Sequence, residues 1–426
     1  MVSQHLQVAP LRVTFCAYDK PGNVGGPPAW LQRLLPALRV RGIECRCLFL
    51  LHFGDSGPSL DFLRDNGFEC SAVLAHETTE DRVEWILSQL SEHPPDIFVA
   101  NYVLAGYFAG AFLRKLGCPT IGVLHSDDPF YRGLQDQFVF GNDSQRLSAV
   151  VCVSQEIERQ VRMRRPQVTV SRIGCGGPLS PTAVTTKPGI LRVGYVGRLA
   201  DEQKRISDVA RAFCRMVLEV DGVEAVIYGD GPERKVVEEI LAKEGQGLPV
   251  KLGGLIDSNQ IQQHLLACDV IVLLSDYEGL PIALMEAMAC GCVPVCLRIR
   301  SGIPELVEDG ITGLLVDDRS DDFVAAIRRL KFDAKLWANL SQAAKLKIQR
   351  EHSIEAGAEK WSKLLQQLDR EAPPKKTVCL PRKLRLPSPH ASMKSFDVRC
   401  IAVPQWLAWV RRARLQLGRI KRRFVK

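Results

Sequence analysis

Short apolar runs alternate with glycine- or proline-marked turns along most of the chain. Leu11–Tyr18, Ile43–Leu51, Phe68–Leu74, Ile97–Asn101, Thr120–Leu124 and Ala149–Ser154 are continuous rather than alternating in hydrophobicity. That pattern predicts strands buried on both faces, as in a parallel sheet covered by helices. Ala29–Arg41, despite Pro36 and up to Gly42, and Asp81–Glu92 read as two of the covering helices. A Pro-, Ser- and Thr-rich stretch, Pro178–Pro188, then reads as a hinge. Beyond it the pattern resumes, with strands predicted over Leu191–Val196, Ala225–Tyr228, Val250–Leu252, Val270–Leu274 and Val293–Leu297. Ile206, Val209, Ala210, Phe213 and Val217 recur at helical spacing, and Ser258 suits the N-cap of a helix ending near Cys268. Asp322–Leu330 and Ser353–Gln367 read as amphipathic helices. The fold class is therefore α/β, in two doubly wound units.

Composition adjusts this picture in four places. A chain of 426 residues is too long for one ordinary core, which agrees with two domains. Its apolar runs fall far short of 18 residues, and Met1–Pro10 has neither a basic nor an apolar leader region. Neither a transmembrane helix nor a signal peptide is expected, which predicts a cytoplasmic location. Fourteen cysteines are scattered without a C-x-x-C pair, predicting reduced buried thiols rather than disulfides or a zinc site. The whole-chain charge of +8 hides a contrast. Glu371–Lys426 carries fifteen Lys or Arg and two acids, a net of +13, which leaves −5 for the rest. Within this tail, residues 371–403 read as a proline-containing linker. After Pro404, Trp406, Trp409, Val410, Ala413, Leu417, Ile420 and Phe424 fall within an arc of about 80–100° on a helix. Seven basic residues lie off that stripe. Such a helix is suited to an anionic membrane surface, with packing on the protein's own body as the alternative. Nucleic acid is not an expected partner.

The chemistry concentrates in residues 275–297. After the strand Val270–Leu274 comes a turn with Asp276, Glu278 and Gly279, then Pro281 at a position suited to the first helical residue, then a helix from Ile282. Gly291 sits where a left-handed helix end is needed. A strand–turn–helix of this kind directs a positive helix end at the carboxyl edge of the sheet, where ligands of α/β folds bind. Glu278 at the helix entrance and Glu286 further along it face such a ligand from different heights. The same two acids also fit a dipole-favoured turn residue and an ordinary helical surface residue. Elsewhere, Gly25 and Gly26 follow the first strand in a glycine-rich turn that is not a G-x-G-x-x-G fingerprint. His125 and Asp127 lie at the carboxyl end of Thr120–Leu124, and Arg198 and Lys204 follow Leu191–Val196.

The text Glu-Gly-Leu-Pro-Ile-Ala-Leu-Met-Glu-Ala-Met-Ala-Cys-Gly-Cys resembles the acid–seven–acid motif of retaining glycosyltransferases of family 4. The resemblance spans roughly residues 10–370, dense after the hinge and thin before it. It implies a GT-B fold: two Rossmann-like domains facing each other across a cleft, followed here by a basic C-terminal tail. The boundaries it suggests are an acceptor domain at 1–180, a donor domain at 189–350, a helix at 351–370 crossing back to the first domain, and the tail at 371–426. By resemblance Glu278 holds the donor sugar and Glu286 the nucleotide ribose, while Arg198 and Lys204 neutralise the diphosphate. Gly25, Gly26, Gly229, Gly254, Gly279, Leu280 and Ile282 border the donor. His125 and Asp127 lie beside the reacting sugar. Two positions depart from the family text: Arg205 stands where many members have glycine, and Gly174-Cys175 replace a Pro-Asn pair.

The expected activity is transfer of a sugar, with retention, from a nucleotide-sugar to a hydroxyl acceptor, either a glycan or a lipid-linked one. No cofactor and no metal are expected, because the nucleotide-sugar is a substrate and two cations replace the metal. Two alternatives stay open: a nucleotide-sugar epimerase or hydrolase of the same fold, and a binding protein without turnover. Placement on the inner face of a membrane, peripherally through residues 404–426, goes with the tail reading.

Overall fold

The computed structural model describes residues 10–22, 26–74, 78–184, 189–257, 260–378 and 384–396. Gly25, Ser258 and the amphipathic stretch 404–426 lie outside the described residues. Two parallel sheets organise the chain. The first contains β1 (Leu11–Asp19), β2 (Ile43–Leu51), β3 (Glu69–Leu74), β4 (Ile97–Asn101), β5 (Thr120–Leu124), β6 (Ala149–Cys152) and β7 (Thr169–Arg172), in the order 3-2-1-4-5-6-7. The second contains β8 (Leu191–Val196), β9 (Val223–Tyr228), β10 (Val250–Gly254), β11 (Val270–Leu273), β12 (Val293–Leu297) and β13 (Leu314–Val316), in the order 10-9-8-11-12-13. Val13–Ala17 of β1 and all of β4, β5, β6, β11 and β12 are buried, as strands covered by helices on both faces require. The strand order reverses between β1 and β4 in one sheet and between β8 and β11 in the other. Those are the two crevices where a doubly wound sheet opens for a ligand.

Most elements lie within a residue or three of the pattern that predicts them. Helices at Pro58–Asp65, Leu104–Lys115, Pro129–Phe138, Gln155–Met163, Arg234–Glu244 and Ala334–Glu351 have no counterpart in it. For Leu104–Lys115 the reason is burial: nine of its twelve residues are buried, so it shows little of the polar face that makes a helix legible. Pro281 differs from expectation in a small way. Its ψ of 111° leaves it extended at the N-cap, and the helix begins at Ile282.

The domains are tied together by the helix Ile354–Arg370, capped by Ser353, which returns to the first domain. Its Trp361 is fully buried, with ring centroids 5.6 Å from Trp30 and 6.2 Å from Phe15. A buried aromatic of this size contributes about 1.5–3 kcal/mol to holding the helix there. Past Arg370 the chain continues along the same domain. Lys376 N donates to Leu116 O at 2.8 Å, Ser91 Oγ donates to Val378 O at 2.8 Å, and His390 N donates to Gln137 Oε1 at 2.9 Å. Met393 is fully buried over Gly133, where a Cβ would come within 2.7 Å of its Cγ. In its described parts the proline-containing stretch is thus a strap on the first domain. Twelve described cysteines are free thiols, eleven of them buried. Among the described residues no helix is long and apolar enough to cross a membrane.

Candidate active site

The second crevice is built by the turns after β8 and β11. The turn after β11 is held from three sides. Arg319 Nε donates to Leu274 O at 2.8 Å, and the Arg319 guanidinium pairs with Asp276. Gln203 Nε2 donates to Tyr277 O at 2.9 Å, and Asp276 N donates to Gln203 O at 2.9 Å. The last two bonds fix the short helix Asp201–Lys204 against the turn, so Lys204 meets Glu278 with Nζ 2.6 Å from Oε1. Glu278 is only 6% exposed. Arg205 then enters the next helix, Ile206–Glu219, at φ 52° and ψ 43°. That left-handed conformation is the one glycine takes without penalty. Arg205 retains the conformation while pairing with Asp208 at 2.8 Å.

Glu286, 5% exposed on the helix Ile282–Cys290, pairs with Arg33 of the helix Gly26–Arg39 in the first domain. The two acids singled out by sequence therefore each hold one cation, and one of those cations crosses the cleft. No side chain caps the start of the helix Ile282–Cys290. Its first N–H groups thus have no intrahelical acceptor and no capping partner of that kind.

Gly279 explains its own identity. A Cβ there would overlap the His125 carbonyl oxygen, and a Cβ at Gly302 would overlap the Gly279 carbonyl oxygen. Three stretches of backbone from both domains thus converge where only glycine fits. The closure is reinforced nearby: Gln155 N donates to Glu305 Oε2 at 2.6 Å, and Arg172 pairs with Glu305 at 3.6 Å.

The His125 ring turns inward. Asn101 uses its Nδ2 on Pro27 O at 3.0 Å, so its Oδ1, 2.6 Å from His125 Nε2, accepts the ring proton. His125 Nδ1 is then the acceptor for the Cys175 thiol at 3.7 Å. Burial pushes that thiol up to about 12 and lowers the imidazole to about 3, so the pair is neutral at ordinary pH. Cys175, one of the two departures from the family text, thus faces the ring nitrogen that Asn101 leaves as the acceptor. Asp127 does not converge with this group. It pairs with Arg132 at 3.0 Å and accepts from Gln160 Nε2 at 3.0 Å, while its neighbour Asp128 caps the helix Pro129–Phe138.

Arg198 is exposed at the carboxyl end of β8, its carbonyl fixed by the Tyr195 hydroxyl at 3.0 Å. Gly26 opens the helix Gly26–Arg39 at φ 71°. Gly229 donates its N–H to Gly254 O at 2.8 Å, which joins the two glycine turns after β9 and β10 into one wall. Leu280 is buried beside Gly174, where a Cβ would lie 2.9 Å from Leu280 Cδ2, and Ile282 is half-buried at the helix start. Arg33, Asn101, Cys175, Gln203 and Arg319 carry no motif of their own. Each acts through a partner distant in sequence, so local spacing gives no signal for them.

A family model described as glycosyl transferases group 1 matches residues 185–347. The amylovoran biosynthesis glycosyltransferase AmsK of Erwinia amylovora is 32% identical over 295 residues, 64% of this chain and 70% of that protein. The lipopolysaccharide core biosynthesis glycosyltransferase LpsD of Rhizobium meliloti is 25% identical over 333 residues, 75% of this chain and 89% of that protein. The crystal structure of Anabaena HepE in complex with UDP and glucose aligns with a TM-score of 0.68 at 19% identity, over 84% of this chain and 100% of that one. That likeness is one of fold, and the shared fold is GT-B. With AmsK similar across most of its length and the family pattern lying over the second crevice, this chain belongs to the glycosyl transferases group 1 family.

Proposed function

We propose that the protein transfers a sugar from a nucleotide-sugar to a hydroxyl acceptor, with retention and without a divalent metal, in the assembly of a polysaccharide or glycolipid. The observation that carries this reading is the paired arrangement at the cleft: Lys204 on Glu278 and Arg33 on Glu286, beside a helix start without a capping side chain. A nucleoside diphosphate entering beside Lys204 and Arg198 meets two cations and a positive helix end. Glu278 then accepts hydrogen bonds from sugar hydroxyls and Glu286 from the ribose. The names of AmsK and LpsD, and the UDP and glucose in the HepE crystal, support the same donor chemistry and an envelope-glycan product.

As the C1–O bond to the β-phosphate breaks, negative charge grows on the leaving diphosphate, next to Lys204 and Arg198. The acceptor oxygen bonds to C1 on the face the diphosphate leaves, and its proton passes to a phosphate oxygen. His125 is not the base in this scheme, because both its ring nitrogens are engaged by Asn101 and Cys175. The test is the anomeric configuration of the first-formed product, read by NMR with and without EDTA. Inversion, or a rate abolished by EDTA, would refute the scheme. Product formed without acceptor would favour a hydrolase or epimerase of the same fold.

A further inference from the structure

The first sheet has a crevice of its own, at its reversal between β1 and β4. A cavity of about 360 Å³ opens there. Tyr18 of β1, Tyr102 just after β4 and Phe130 contribute to its wall. The Tyr102 ring lies 5.1 Å from Tyr18 and 5.2 Å from Phe130. Arg198 reaches the same cavity from the second domain, so the space adjoins the diphosphate side of the donor crevice.

Two lining residues stand in unusual backbone conformations. Phe53 has φ 69° and Tyr102 has φ 58°, the left-handed region that bulky side chains avoid. Such residues cluster where structure is held for a ligand. Phe53 is moreover 74% exposed, an apolar ring held out at the cavity mouth. Flat aromatic faces of this kind suit the C–H face of a pyranose.

The charge of the lining is one-sided. It contains the cations Lys20, Arg82 and Arg198 beside the imidazole of His52, and no carboxylate among its described residues. Two acids close to lining residues in sequence, Asp19 and Asp128, are engaged by backbone N–H groups. Asp19 accepts the N–H groups of Ser59 at 2.8 Å, Leu60 at 3.0 Å and Lys20 at 3.0 Å. Asp128 accepts the N–H of Tyr131 at 3.1 Å. Partial burial, with Arg82 and Lys20 beside it, lowers the basicity of His52, so both cations lie within electrostatic reach of one point. A low-dielectric concavity lined by one sign of charge concentrates the opposite sign.

We propose that this cavity receives the acceptor and that the acceptor carries an oxyanion, a carboxylate or a phosphate, bound by Lys20, His52 and Arg82. The proposal rests on the glycosyltransferase reading above and narrows its acceptor from any hydroxyl compound to an acidic glycan or a phosphorylated one.

Three probes that differ in charge test it: p-nitrophenyl β-glucoside, p-nitrophenyl β-glucuronide and glucose 1-phosphate. Each is titrated by calorimetry into the full-length protein saturated with the nucleoside diphosphate that most raises its melting temperature, so that the diphosphate site is blocked. At low salt, at least one anionic probe should bind about tenfold tighter than the neutral glucoside, as for a charged hydrogen-bonded contact. Preference for the glucuronide marks a uronate-bearing acceptor, and preference for the phosphate marks a phosphorylated one. Lys20→Ala and Arg82→Gln should each reduce the preference about threefold or more while leaving nucleoside diphosphate affinity unchanged. Equal affinity for all three probes in the wild-type protein overturns the proposal even if neither variant folds. So does an anion preference that survives both substitutions. If nucleoside diphosphates bind and the probes show no preference, the glycosyltransferase reading stands without the acidic acceptor. If no nucleoside diphosphate binds, that reading itself fails.

Discussion

Lys204→Ala separates the structural from the functional role of the cleft lysine. Its ammonium lies 2.6 Å from Glu278, and the two side chains are 17% and 6% exposed. Removing one partner of a fully buried pair costs about 3–5 kcal/mol, because the other charge is left uncompensated. Lys204 keeps some contact with water, so a loss of about 1–3 kcal/mol is expected, the desolvation cost of one unsatisfied group. In a domain of this size that lowers the melting temperature by about 2–4 °C per kcal/mol. The functional loss should be larger. A charged hydrogen bond to phosphate is worth about 1.5–3 kcal/mol, or roughly 10- to 150-fold in nucleoside diphosphate affinity. Turnover should fall about 10²-fold or more, since the same contact stabilises the leaving group. Glu278→Gln is the control. It releases Lys204 from its partner, so affinity for the plain diphosphate should hold while sugar transfer collapses. In stability the double variant should cost less than the two single losses combined, as for groups in direct contact. Calorimetry with the diphosphate, thermal melts and initial rates give the three readouts. A folded Lys204→Ala protein with unchanged affinity and rate would remove the lysine from the donor site.

Gly279→Ala should hold the domains apart, since a Cβ there overlaps the His125 carbonyl oxygen. Overpacking of this kind costs about 1–3 kcal/mol, and a lost rate with an unchanged small-angle scattering profile would argue against it. Burial holds His125 at about 3 and His352 at about 4, whereas both return to about 6.5 on unfolding. Above pH 6.5 both are neutral in either state. Below it the unfolded chain takes up their protons first, so stability falls by up to about 1.4 kcal/mol per pH unit for each, until the folded groups also protonate. Urea unfolding at pH 7.5, 6 and 5 should show that slope, and His125→Gln with His352→Gln should flatten it; an unchanged slope counts against the assignment. The basic stretch 404–426 should hold the protein on anionic vesicles at low salt, and a version ending at Val403, which keeps the strap, should not sediment with them. Equal sedimentation of both forms would exclude the tail as a membrane anchor.

How much of this was legible in the sequence follows from the range of the interactions involved. Continuous apolar runs such as Thr120–Leu124 and Val293–Leu297 determined the strands, because a parallel strand is buried on both faces whatever lies next to it. The turn Ser275–Pro281, the helix behind it and Gly291 were readable because caps and left-handed ends act within a few residues. Leu104–Lys115 was not, since burial round most of the helix blurs the periodicity that marks it. The pairing of each acid with its cation was equally hidden. Lys204 and Glu278 stand 74 positions apart, and Arg33 and Glu286 stand 253 apart. The first pair meets because β8 and β11 lie side by side in one sheet, and the second because the two domains close on each other. The same holds for His125: its place at a strand end was visible, but Asn101 and Cys175 engage its ring from other elements. Sequence by itself determined which residues stand at the carboxyl ends of strands. The tertiary structure decided which of them face each other, because their contacts depend on which strands lie side by side and on how the two domains close.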